Sequence, residues 1–139
     1  MTTAVVDASA AVRWFVDHPL SPNADLLLSR YATRLAPQII LSETGNAFWK
    51  YIRAGTITPA QAQSALQRLP ESYVTLEQDR DHIARALQLA AEFDHPVYDC
   101  LYLAVAEARS APLITDDQRL LGKLGRKRRF TLIALADVQ

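Results

Sequence analysis

The stretch AVVDASAAVRWF (Ala4–Phe15) sets the reading of the whole chain. Three small apolar residues, two of them β-branched, stop on a carboxylate, Asp7, and an apolar run resumes directly after it. TAVVD, ending at Asp7, fits a short strand buried on both faces. ASAAVRWFV then fits a helix that must stop before His18-Pro19. A strand passing straight into a helix is the start of a parallel βα unit, not of a hairpin. A buried strand has no reason of its own to end on an acid, so Asp7 either caps the helix or binds something.

Working outward, the same alternation repeats. SPNADLLLSRY predicts a helix with Ser21 as cap and Pro22 at the first helical position. TRLAP predicts a strand and turn, and a long helix runs from Gln38 to Ala54, closed by Gly55. TPAQAQSALQRL predicts a helix capped by Thr58 with Pro59 following. YVTLE reads as a strand, DRDHIARALQLAAEF and VYDCLYLAVAEARS as helices, APLIT as a strand, DDQRLLGKL as a helix and RFTLIAL as the last strand. Strands alternating with helices imply right-handed crossovers and a parallel sheet covered on both faces. With 139 residues, one core and one domain are expected over 1–139.

Composition narrows the function. Fifteen basic and fifteen acidic residues give zero formal charge, so no global field draws the chain to nucleic acid, and any such affinity must be local. The single cysteine, Cys100, rules out an internal disulfide and a cysteine-based zinc site, and fits a reducing cytoplasm. No secretory h-region or membrane-length apolar run is present, so a cytoplasmic protein with no membrane association is expected. His18, His82 and His95 are isolated and show no paired metal spacing. The glycines carry no phosphate-binding fingerprint.

The chemistry lies in the acids. Asp7 follows the first strand and Asp117, next to Asp116, follows a late one, so both are placed where open parallel sheets bind ligands. Asp99 falls in the first turn of the VYDCLYLAVAEA helix. Glu43 shares a stripe of the long helix with Asn46, Lys50 and Arg53, beside a packed stripe of Ile40, Thr44, Ala47, Phe48 and Tyr51. Singly, each acid is explained as a cap or a solvated residue. Together they are costly: two carboxylates 5 Å apart repel by about 3 kcal/mol at an effective dielectric of 20. Oxygen-only ligands suit Mg²⁺ or Mn²⁺, which work on phosphates.

Asp7 in VVDASA, Glu43 in LSETGNAFWK, Asp99 in HPVYDCLYLAVA and Asp117 in LITDDQRL together resemble the PIN-domain ribonucleases, and among them the VapC-type toxins of bacterial toxin–antitoxin pairs. The likeness runs from Thr3 to the last strand. It implies a single-domain three-layer α/β/α sandwich around a central parallel sheet. It further implies a pocket of four acids holding Mg²⁺ or Mn²⁺, and endonucleolytic RNA cleavage leaving a 5′-phosphate and a 3′-hydroxyl. The implied partners are an RNA substrate, a small antitoxin encoded nearby that silences the toxin in a larger complex, and a second copy in a homodimer. Carried onto this chain, the catalytic acids are Asp7, Glu43, Asp99 and Asp117. Asp117 is selected over its neighbour Asp116 because the family's late acid stands two residues after the threonine.

Asp7 and Asp99, on packed element ends, are the expected metal ligands, with Glu43 positioning the attacking water or a second ion. Ser9 and Thr115 are expected to orient ligands or water, Asn46 to hold Glu43, and Asp116 to stand beside the site. The basic tract GKLGRKRR precedes the final strand, and Arg126, Lys127, Arg128 and Arg129 are expected to face the cleft and touch phosphate. Val12, Trp14, Phe15, Phe48 and Trp49 are the apolar side chains expected to seat an amphipathic antitoxin segment. The alternatives are a metal-dependent aspartyl-phosphate phosphotransferase or a receiver-type signalling module. The first wants a second aspartate where Ser9 stands. The second wants paired acids after the first strand, which are absent.

Overall fold

The computed structural model describes residues 2–127 and 129–139. Five parallel strands, β1 (Thr3–Val6), β2 (Thr33–Pro37), β3 (Thr75–Glu77), β4 (Leu113–Thr115) and β5 (Leu132–Ala134), form one sheet in the order β3-β2-β1-β4-β5. Register is set by pairs such as Val5 with Leu35 of β2 and with Leu113 of β4. The central strands carry the apolar runs: Ala4, Val5, Val6, Ala36, Leu113 and Ile114 are fully buried. The edge strands β3 and β5 are only partly covered. Burial on both faces is what a continuous apolar strand requires, and it explains why these strands do not alternate.

Among the described residues the helices are α1 (Ala8–Ala11), α2 (Ser21–Arg30), α3 (Ile39–Arg53), α4 (Pro59–Arg68), α5 (Ile83–Phe93), α6 (Val97–Arg109) and α7 (Gln118–Leu124). They complete the α/β/α sandwich. Helix α6 crosses β2, β1 and β4 with α5 packed along it. Its residues Cys100 to Ala106 are all buried, so α6 is apolar on every side for two turns. Helices α3 and α4 form a hairpin with a small second core of Val12, Val16, Phe48, Ala62 and Ala65. None of the helices among the described residues is long and apolar enough to cross a membrane.

Several boundaries differ from expectation. The first helix is one short turn, which tightens into a 3₁₀ turn over Val12–Trp14. Ser21 is not the cap of α2; Leu20 holds that position. The Ser21 hydroxyl instead accepts from His18 N–H at 3.1 Å and reaches the Val16 carbonyl at 3.3 Å, tying the preceding loop. The strand expected over RFTLIAL shortens to Leu132–Ala134, because residues 129–131 form the turn that leads into it and a 3₁₀ turn begins at Leu135. Thr58 does cap α4, in a reciprocal box with Gln61. Gly55 follows α3 with φ 75°, the left-handed conformation glycine adopts without steric penalty.

The sheet order places the site. From β1 the chain moves outward through β2 and β3, then returns to the other side of β1 for β4 and β5. The strand order therefore reverses between β1 and β4, and the crevice at their carboxyl ends is where such sheets take ligands.

Candidate active site

Asp7 sits in that crevice at the end of β1 and caps α1, its Oδ1 accepting from Ala10 N–H at 3.1 Å. Ser9 donates its hydroxyl to the same oxygen at 2.6 Å, and the buried Thr115 hydroxyl donates to Oδ2. Each of those hydroxyls also accepts: Ser9 Oγ from Asp116 N–H at 2.8 Å, Thr115 Oγ1 from Asp117 N–H at 3.0 Å. Two small side chains thus lock the end of β1 to the end of β4. Burial nevertheless dominates the electrostatics. It raises the Asp7 pKa to about 7 against the lowering effect of its donors, and the charge of Asp117 adds to the rise.

The other three acids gather around the same crevice. Glu43, on α3, is pushed above the usual carboxylate range by burial first, and then by the charges of Asp99, Asp79 and Asp117. Tyr102, buried on α6, donates its hydroxyl to Glu43 Oε1 at 2.6 Å, and its own pKa rises well above normal through burial and the Glu43 charge beside it. Asp99, one turn earlier on α6, shares a hydrogen bond of 2.7 Å between its Oδ2 and His95 Nε2. Asp117 caps α7, accepting from Arg119 N–H at 2.9 Å and Leu120 N–H at 3.2 Å.

The quartet is therefore mutually repulsive, and each member is engaged by a donor of its own. As the side chains stand, no three His, Cys, Asp or Glu residues among the described residues are drawn together closely enough to hold a metal ion. The donor chemistry still fits a hard divalent cation: four carboxylates, two of them with raised proton affinity, and no Arg or Lys paired to any of the four among the described residues.

Some predicted roles require correction. Glu43 is held by Tyr102, not by Asn46, which is exposed on α3. Asp116 is turned to Arg13, whose Nη2 and Nε lie 3.0 and 3.3 Å from its Oδ2. Arg129 does not face the acids. It leads into β5 at the edge where β4 begins, beside Ala111, Pro112 and Thr131, and its guanidinium pairs with Glu92 and lies 3.7 Å from Glu107. A segment entering a parallel strand necessarily lies at the edge opposite the carboxyl ends. Arg126 and Lys127 are exposed on the same connection, and Arg128 lies outside the described residues. Among the apolar residues expected to seat a partner, Val12 and Phe48 are buried. Trp14 is committed to Tyr73 (centroids 4.9 Å apart) and to the Ala24 carbonyl (2.7 Å).

Three partners were missed by the sequence reading. His95 and Asp99 stand at i and i+4, a spacing that was there to be read. Tyr102 and Arg13 pair across 59 and 103 residues of chain, and no local pattern announces such contacts.

The PIN domain family model matches residues 4–127. Ribonuclease VapC1 of Mycobacterium tuberculosis is 31% identical over 127 residues, spanning 90% of this chain and 93% of that protein. The crystal structure of PAE2754 from Pyrobaculum aerophilum superposes with a TM-score of 0.71 at 26% identity, covering 94% of this chain and 83% of that one. A chain of a toxin–antitoxin complex from Klebsiella pneumoniae shares the fold at TM-score 0.69 and 19% identity, covering 95% and 97%. The family match takes in the strand ends bearing Asp7 and Asp117 and the helices bearing Glu43 and Asp99, and on it the chain belongs to the PIN-domain family, in its VapC branch.

Proposed function

We propose that the protein is a divalent-metal-dependent endoribonuclease, the toxin of a toxin–antitoxin pair. The observation that carries the reading is the convergence of Asp7, Glu43, Asp99 and Asp117 on the β1/β4 crevice, in a chain whose relatives include a protein named as a ribonuclease. Asp7 and Asp99 would hold Mg²⁺ or Mn²⁺, with Glu43 and Asp117 alongside. When bound, the cation polarises the scissile phosphate, lowers the pKa of a water and steadies the leaving 3′ oxygen.

The chain's own groups do the rest. Ser9, Thr115 and Ala10 N–H fix both oxygens of Asp7, so it meets a ligand without reorganising. His95 holds one oxygen of Asp99 and leaves the other for a ligand. Tyr102 holds Glu43 Oε1, leaving Oε2 to take the proton of the attacking water, and the raised proton affinity of Glu43 suits that role. The partner we propose is a small antitoxin that presents a basic side chain to the acids.

Purified protein incubated with RNA and Mn²⁺ is expected to leave 5′-phosphate ends at internal positions, and EDTA is expected to stop the reaction. Asp7→Asn and Asp99→Asn should each abolish cleavage while keeping the native circular dichroism spectrum. Near-native cleavage by either folded variant would remove the assignment. Stepwise loss of terminal nucleotides would replace the endonuclease by an exonuclease.

A further inference from the structure

The basic tract at residues 126–129 was the expected phosphate contact, yet Arg129 stands at the wrong edge of the sheet for it. Two other positive charges, Lys50 and Arg13, stand beside a groove that leads to the acids. A groove of about 340 Å³ runs between α1 and α3, lined by Ser9, Glu43, Asn46, Lys50 and Tyr51. Its inner end is the acid pocket, since Ser9 binds Asp7 and Glu43 belongs to the quartet. Lys50 lies two turns of α3 beyond Glu43, is exposed, and makes no ion pair among the described residues. Arg13 stands at the rim, where its Nη1 donates to the Tyr51 hydroxyl at 3.3 Å and its Nη2 and Nε to Asp116. Held in this way by α3 and by the β4–α7 turn, the guanidinium loses little freedom on binding, and it keeps an unused N–H on each Nη.

We infer that the RNA backbone reaches the acids along this α1–α3 groove, with Lys50 and Arg13 as its phosphate contacts and Asp116 as the residue that holds Arg13 in place. The inference rests on the nuclease reading above and adds the substrate's route to it. Charge decides the occupant. A polyanion approaching four carboxylates is repelled unless cations flank its path, and Lys50 and Arg13 supply them beside the pocket. They also give Asp116 its role. It is a counter-ion that orients a phosphate-binding arginine, which explains why a second acid follows β4 and turns away from the quartet.

The test is the salt dependence of binding to a fluorescently labelled single-stranded RNA in EDTA, where nothing is cut. Lys50→Gln should lower the slope of log K against log salt by about 0.7, the value of one phosphate contact on a single strand. Arg13→Gln combined with Asp116→Asn, which removes both charges of the pair, should do the same. Arg126→Gln with Lys127→Gln should leave the slope unchanged. With Mn²⁺ present, Lys50→Gln should raise KM and spare kcat, because the lost contact lies outside the reacting centre. A wild-type slope in both groove variants would overturn the route. Wild-type protein that neither binds RNA nor cuts it with Mn²⁺ would overturn the nuclease reading itself, and the route with it.

Discussion

Asp7 concentrates the conflict between folding and function in one side chain. It is buried, yet it accepts from Ala10 N–H, Ser9 and Thr115, and burial outweighs them, so its pKa stands at about 7. The consequence for stability has a definite sign. The unfolded side chain titrates near 3.8, the ordinary value for an aspartate. Between roughly that pH and 7 the native state binds more protons, so stability is fully present below the unfolded pKa and falls as pH rises through the folded one. Metal-free wild-type protein should therefore melt at a higher temperature at pH 5 than at pH 8. Asp7→Asn, which cannot ionise, should narrow that difference and be the more stable protein at pH 8. Parallel Tm-against-pH curves for the two proteins would show that Asp7 ionises without cost. Asp7 was legible in the sequence because an acid closing an apolar strand breaks a local pattern. Tyr102 and Arg13 were not, because each looks like an ordinary helix residue until the fold brings its partner to it.

At the scale of elements, what could be read depended on whether local chemistry alone fixed the boundary. Thr58 and Gln61 satisfy each other and the first N–H groups of α4 without help from the rest of the chain. Gly55 ends α3 through its own conformational freedom. Both were evident in the sequence. Ser21 has the same capping propensity, but the loop from Val16 to His18 competes for its hydroxyl and wins. β3 and β5, as edge strands, are shortened mainly at their starts, β3 by the helical turn over Leu69–Tyr73 and β5 by the turn leading into Leu132, a tertiary effect to which apolar patterning is blind. Thr58→Ala tests the local case. It should cost about 1 kcal/mol in denaturant unfolding, with RNA cleavage unchanged, since α4 bears none of the acids. A loss of cleavage larger than the loss of folded protein would tie the α3–α4 hairpin to the chemistry.

For the whole molecule, the sheet order puts the acids at one edge and leaves the aromatic residues of α3 and the first turn beside them. Phe15 and Phe48 line a groove of about 370 Å³ against α4, with Arg68 at its rim, and Trp49 is half exposed on α3. A toxin needs an inhibitor that covers its site, and an apolar groove built partly on α3, the helix that carries Glu43, suits a segment carrying apolar anchors and a basic side chain. Trp14, engaged by Tyr73 and the Ala24 carbonyl, is withdrawn from that surface; Phe15 lines the groove, and Trp49 is exposed elsewhere on α3. Co-expression with the adjacent small gene should give a single species in size-exclusion chromatography that does not cut RNA. Trp49→Ala should weaken the complex by about 5- to 30-fold, as loss of a tryptophan anchor costing about 1–2 kcal/mol does, while leaving cleavage by the free protein intact. Separate elution with undiminished cleavage would leave a nuclease without a partner.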